Sequence, residues 1–242
     1  MYSAVDHWYK FKEYRDYTGR ILDFEGYSIM IWSWFKKYFK APSEDVDESQ
    51  LMKFLIIGLG NVGNEYEETR HNVGFQVLDA LARQEGCTFK NDHLGSTAEF
   101  RHKGRTIYLL KPTTYMNLSG KSVRHWVQKL KIAEGHWLVV VDEFQFNLGV
   151  FKLLKKGTAG GHNGLKSIED LMQHNNYPRL RIGIGHDFKP GQQVNYVLGR
   201  WSGEQWNQML PIFDTVCDLI RSFTTIGLDQ TMNLYNKRKA PE

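Results

Sequence analysis

The sequence predicts an α/β fold: a single three-layer domain on a mixed, mostly parallel twisted sheet flanked by helices, with an N-terminal extension outside the core. Three observations lead there. From Met52 onward, short apolar runs that read as strands alternate with stretches of helical periodicity, the pattern of a sheet covered on both faces. "TAEFRHKGRTIYLLK" (97–111) alternates about Lys103-Gly104 and reads as a hairpin, which brings antiparallel pairing into that sheet. Of the 242 residues, 41% are hydrophobic, enough to build one sizeable core.

The elements follow in order. Residues 53–58 read as a buried strand. "VGFQVLDALARQEG" (73–86) carries apolar residues at helical spacing, with Gly86 as the stop. Beyond the hairpin a helix runs from Ser119, its expected N-cap, to about Lys131. "HWLVVVDE" (136–143) reads as a central strand ending in two carboxylates, and "GVFKLLKKG" (149–157) as a further strand. The glycine-rich "GTAGGHNG" (157–164) leads into a helix that ends near Met172. "RLRIGIG" (179–185) is the last strand; a loop follows, then helices over 202–236 with a kink expected at Pro211.

Composition narrows the functional classes. A formal charge of +4 permits a polyanionic partner without requiring one. The two cysteines, Cys87 and Cys217, lie in apolar surroundings. They read as small core residues of a protein in the reducing cytoplasm, and no metal-ligand spacing can be built from them.

Residues 1–51 differ from the rest. "SIMIWSWFKKYFKAP" is their apolar stretch, too short to span a bilayer, and acidic residues precede it where a signal peptide would be positive. Ile31, Trp34, Phe35 and Tyr38 have helical spacing beside Lys36, Lys37 and Lys40, so a membrane-surface helix is one reading. A loosely ordered extension is the stronger one, followed by an acidic linker, "SEDVDESQ". Met30 and Met52 are both candidate start residues. The expected division is therefore 1–51 extension and 52–239 domain.

"GLGNVG" (58–63) has the letters of a dinucleotide-binding turn. In that fold the helix begins inside the glycine pattern, so that its amides meet a pyrophosphate. Here "NEYEETRHN" (64–72) intervenes and helical periodicity resumes only at Val73. The acidic strand end expected roughly 20 residues further on is replaced by the end of a helix. The glycines therefore serve a sharp turn over the strand end, and a redox enzyme is a distant reading.

Polar groups gather instead at loops after strand ends, where α/β sheets bind ligands. Asn61, Tyr66 and His71 follow the first strand, and Asn117 lies in "KPTTYMNLSG" (111–120). Asp142 ends a buried strand, where a carboxylate is costly unless paired. His162 and Asn163 precede a helix. Each has a bland alternative: a turn for Asn117, a cap for Asp142 or Asn163, a surface position for His71.

These blocks, with "RLRIGIG" and "YVLG" (196–199), closely resemble the bacterial-type peptidyl-tRNA hydrolase family, in order and along nearly all of 53–236. The resemblance implies hydrolysis of the ester joining peptide to tRNA, which recycles tRNA from stalled translation. It implies His71 as catalytic base, Asp142 as the carboxylate orienting it, and Asn61 as the group that recognises the peptide-bearing substrate. Asn117 and Asn163 match substrate-binding amides, and Tyr66 and Tyr115 match aromatic contacts to the tRNA end. Lys152, Lys155, Lys156 and Arg181 are candidate phosphate contacts. The partner is the acceptor stem and 3′ end of peptidyl-tRNA, met by a cytoplasmic monomer with no cofactor, metal or membrane.

The chemistry is coherent on its own terms. A histidine suits deprotonation of water near neutral pH, a buried carboxylate fixes its tautomer, and amides can donate to the developing oxyanion. No Ser or Cys stands in a nucleophile motif, which favours direct attack by water. Two positions depart from the family pattern. Leu154 stands where a phosphate-clamping Lys is expected, and "QFNLG" (145–149) replaces a proline-containing loop. The runner-up is therefore a non-catalytic RNA-binding paralogue.

Overall fold

The structure is a computed structural model that describes residues 52–237. The readings made for 1–51 lie outside the described residues. The sheet has seven strands: β1 (Lys53–Gly58), β2 (Lys90–Asp92), β3 (Gly95–His102), β4 (Arg105–Pro112), β5 (Trp137–Glu143), β6 (Phe151–Leu154) and β7 (Arg179–Gly183), in the order β2-β3-β4-β1-β5-β7-β6. The central four, β4-β1-β5-β7, run parallel. The hairpin β3–β4, the short β2 and the edge strand β6 supply the antiparallel pairings expected of a mixed sheet.

Alternation along β1 explains the layers. Phe54 and Ile56 enter the core beneath the helices α1 (Val73–Glu85) and α5 (Gly203–Ile226). Leu55 and Ile57 enter a second core beneath α2 (Ser119–Leu130) and α3 (Asn163–Met172). Successive side chains of a strand point to opposite faces, so a strand apolar at every position needs cover on both. Cys217 is fully buried in the first core and Cys87 packs against it.

Helix ends show where local sequence succeeds and fails. Gly86 takes the left-handed conformation (φ 66°) that ends α1, as expected. Ser119 is not the cap of α2: it is the first helical residue, and its hydroxyl donates to the Met116 carbonyl at 2.8 Å. His162, not Asn163, caps α3. Pro211 lies on the exposed side of α5, which continues through it, and the break falls at Gly227 (φ 83°) before α6 (Leu228–Tyr235). A solvent-facing proline frees one carbonyl that water can satisfy. The polar edge strand β2 and the short α4 (Gln193–Val197) carry no periodicity, and the sequence showed neither.

The glycines of "GLGNVG" have a packing role. A Cβ on Gly58 would lie 2.3 Å from the Gly74 carbonyl oxygen, and one on Gly74 would lie 2.5 Å from backbone atoms of Leu59. The carboxyl end of β1 and the first turn of α1 therefore touch backbone to backbone. Among the described residues no helix is long and apolar enough to cross a membrane. Gly58→Ala is expected to cost about 1–3 kcal/mol, the usual range for an overpacked core, read as a lower urea midpoint with an unchanged m-value.

Candidate active site

The chain leaves β1 toward β4 on one side and later reaches β5 on the other. That divergence makes the carboxyl ends of β1 and β5 a topological switch point, where α/β sheets open a crevice. A cleft of about 320 Å³ lies there, and its lining includes Asn61, His71, Asn117, Asp142, His162 and Asn163. Residues more than 100 positions apart are thus gathered at one end of the sheet.

At its centre is Asp142, 3% exposed at the end of β5. His71 Nδ1 lies 3.0 Å from both of its carboxylate oxygens, and His162 Nε2 lies 3.0 Å from Oδ1. The protons can be placed from the partners. His162 Nδ1 accepts from the amides of Gly164 (3.1 Å) and Leu165 (3.3 Å), so its proton sits on Nε2 and points to Asp142. His71 likewise donates from Nδ1 to the carboxylate, which leaves its Nε2 lone pair for the cleft. Burial works to raise the Asp142 pKa, but the charges and hydrogen bonds of His71 and His162 outweigh it and hold the carboxyl well below the usual range. For His71, burial works to lower the pKa, and the charge and hydrogen bond of Asp142 turn the net shift upward from 6.5.

The ligand atoms of His71, Asp142 and His162 lie within 4.8 Å of one another, close enough to suggest a metal. The proton pattern argues for a hydrogen-bonded group instead. His162 could offer Nε2 to a cation only by moving its proton to Nδ1, which would break both bonds to the α3 amides.

Asn61 is braced on three sides. Its carbonyl accepts from Asn72 Nδ2 (3.0 Å), its amide donates to Asn72 Oδ1 (2.8 Å), and its Oδ1 accepts from the Met116 amide (2.8 Å). With Oδ1 engaged, Nδ2 is the end left to donate into the cleft. Asn117, in the 3-10 turn Met116–Leu118, and Asn163, the first residue of α3, are exposed on the lining. Tyr115 stands 59% exposed one residue before Met116, and Tyr66 is half-buried in the β1 loop; neither lines the cleft.

The basic residues divide. Lys152, Lys155 and Lys156 are exposed on and just after β6, Lys155 facing Asp229 at 3.7 Å. Arg181 is buried, its guanidinium bonded to Glu143 and to the Thr158 carbonyl (2.7 Å). Arg179 is fully buried, paired with Glu169 at 3.2 Å. Both arginines thus hold the glycine-rich loop through their Nη donors, while each Nε has no partner among the described residues and Arg181 also lines the cleft. The sequence could not show this, because an arginine in a strand looks the same whether its partner is a phosphate or a buried glutamate. Sequence reading also gave no role to His162 or Asn72, whose only signal was adjacency to Asn163 and His71 in "GHN" and "RHN".

A buried His–carboxylate pair beside converging amides is the equipment of water-activating hydrolysis. Comparison with known proteins narrows that class. The family model for peptidyl-tRNA hydrolase matches residues 55–242. A peptidyl-tRNA hydrolase of Cytophaga hutchinsonii is 50% identical over 188 residues, covering 78% of this chain and 100% of that one. One from Bacteroides fragilis is 48% identical over 187 residues, 77% of this chain and 100% of the relative. The crystal structure of peptidyl-tRNA hydrolase from Acinetobacter baumannii superposes with a TM-score of 0.74 at 36% identity, over 79% of this chain and 98% of that one. The chain belongs to the peptidyl-tRNA hydrolase family.

The His71–Asp142 pair has a clear titration signature. The raised His71 pKa contributes stability that is complete below 6.5 and fades as pH rises through the folded-state value. The depressed Asp142 pKa contributes stability present above 3.8 and lost as pH falls through its lower folded value. Histidine NMR is expected to show His71 protonated at Nδ1 with a pKa above 6.5. In Asp142→Asn, with burial acting alone, the same resonance should titrate below that value.

Proposed function

We propose that this chain hydrolyses the ester between a peptide and the 3′-terminal ribose of tRNA, with His71 as general base toward water. The observation that carries the mechanism is the hydrogen-bonded pair at 3.0 Å, which holds one imidazole nitrogen on Asp142 and leaves the other for the cleft. His71 Nε2 takes a proton as the water oxygen bonds to the ester carbonyl carbon. Amide donors of Asn61, Asn117 and Asn163 receive the developing oxyanion and the substrate carbonyls. Collapse of the tetrahedral species breaks the carbon–oxygen ester bond, and the imidazolium returns its proton to the leaving ribose oxygen. Asp142 stays ionised throughout and stabilises the imidazolium.

Asn61 Nδ2 suits the carbonyl of a blocked amino group, which free aminoacyl-tRNA lacks and offers only as an ammonium. Lys152, Lys155 and Lys156 supply phosphate contacts for the acceptor stem, while Arg181 acts from within by holding the loop. The match of the family model to 55–242 supports 52–239 as the catalytic domain and 1–51 as an addition to it. The proposal includes a monomer acting in the cytoplasm without metal or cofactor, in keeping with the two unpaired cysteines.

Purified protein should release peptide from N-blocked aminoacyl-tRNA and leave free aminoacyl-tRNA intact. Absence of turnover with retained tRNA binding would favour the RNA-binding alternative. His71→Ala should lower kcat by about 10²–10⁴ with binding kept, the usual contribution of a positioned base. The base must be neutral to act, so kcat/KM should rise with pH through a midpoint above 6.5. In Asp142→Asn that midpoint should move down while the rate falls.

A further inference from the structure

The α4 segment forms one wall of the cleft through Val194, Val197 and Leu198, yet none of the five residues of α4 is buried. Tyr196 and Val197 pack against the main core only partly buried, so apolar burial alone is a weak hold on it. Its ties lead to Arg70, the residue beside His71. The Arg70 amide donates to the Gly199 carbonyl at 3.0 Å, just past the helix. Its guanidinium donates from Nη1 to the Tyr196 carbonyl (3.2 Å) and from Nη2 to Gln205 Oε1 (2.8 Å). It also stacks over the rings of Tyr196 (4.4 Å to centroid) and Trp201 (5.6 Å). Tyr196 in turn donates its hydroxyl to the Ile184 carbonyl at 2.8 Å and packs on Phe188, which meets the cleft-lining Phe144. Among the described residues no carboxylate pairs with Arg70, so its charge is spent on carbonyls and aromatic faces.

We propose that Arg70 is a positioning residue that fixes the α4 wall at its working distance from His71, and so sets how tightly the cleft grips the acyl part of the substrate. The guanidinium's hydrogen-bond and ring partners are Tyr196, Gln205 and Trp201, not His71 or Asp142, and the turn carrying His71 keeps its own backbone bond to Gly199. Loss of the side chain therefore loosens the wall and leaves the base in place. Lysine cannot replace it, because an ammonium has no planar fork to reach two acceptors while stacked on two rings.

Because the proposal rests on the hydrolase reading, its test has an arm that needs no turnover. In the full-length protein, Arg70→Ala and Arg70→Lys should both raise KM for N-blocked aminoacyl-tRNA about tenfold, the scale of one charged hydrogen bond and a partly desolvated cation–π contact. kcat should change by less than about threefold, and the pH midpoint should stay where it is, since the base is untouched. Hydrogen exchange should accelerate at 185–199 and remain unchanged in α1 and the central strands. Gly199→Ala offers an independent route, since its Cβ would sit 2.9 Å from Arg70 Nη1; it should raise KM alone and add nothing to Arg70→Ala. A KM retained in Arg70→Lys with a shallower salt slope in Arg70→Ala would instead mark a phosphate contact and overturn the proposal. So would a kcat loss with unchanged KM, or exchange that quickens throughout the domain. Wild-type protein without turnover would sink the hydrolase reading while leaving the exchange result to stand on its own.

Discussion

A single carboxylate organises this protein. Asp142 sits at the end of β5, one of the inner strands, nearly without solvent, where an unpaired charge would be strongly unfavourable. Its partners come from the β1 loop and from the cap of α3, so β5 and the segments after β1 and β6 meet at one group. Breaking such a buried pair typically costs ~3–5 kcal/mol, a large share of the ~5–15 kcal/mol that keeps a domain folded. Stability and the proposed chemistry therefore draw on the same contact. The charge that makes His71 a stronger base also ties its loop to the sheet.

His162 shows how two requirements are met by one side chain. Its Nδ1 satisfies amides that the first turn of α3 would otherwise leave without partners, and that bond forces the proton onto Nε2, toward Asp142. A helix cap thereby determines the tautomer of a residue at the site. Asn72 does comparable service for Asn61, holding its backbone at both ends so that the amide side chain enters the cleft from a fixed base. The rigid core of the site is built from such double-ended contacts. Its outer wall at α4 is held differently, by partial packing on the core, the Tyr196 hydroxyl and the Arg70 guanidinium on carbonyls and rings.

The strands other than β2, the hairpin and the main helices were legible in the sequence because their causes are local: the apolar run of β1, helical spacing after Val73, Gly86 at a helix end. The candidate site was legible by residue type and by place after strand ends, which brought forward His71, Asp142, Asn61, Asn117 and Asn163. Other features escaped because residue type alone does not say which of several partners a side chain takes. Ser119 has the chemistry of a cap, yet it bonds back to Met116, and His162 takes the capping role from its neighbour. Arg181 carries the charge of a phosphate ligand, and only the fold shows that Glu143 and Thr158 also bind it at the cleft edge.

"GLGNVG" separates what each level determines. The sequence alone established that no helix follows those glycines directly, and so that they are not a phosphate cradle. It also identified the polar insert behind them as the carrier of His71. Only the tertiary structure decided why glycine is needed, since Gly58 meets the backbone of Gly74 across a strand–helix contact that no local pattern encodes. The same holds for the proton on His71 and for the burial of Arg181. Periodicity and turn chemistry act over a few residues, whereas burial, charge pairing and proton placement depend on groups that the fold brings together from far along the chain.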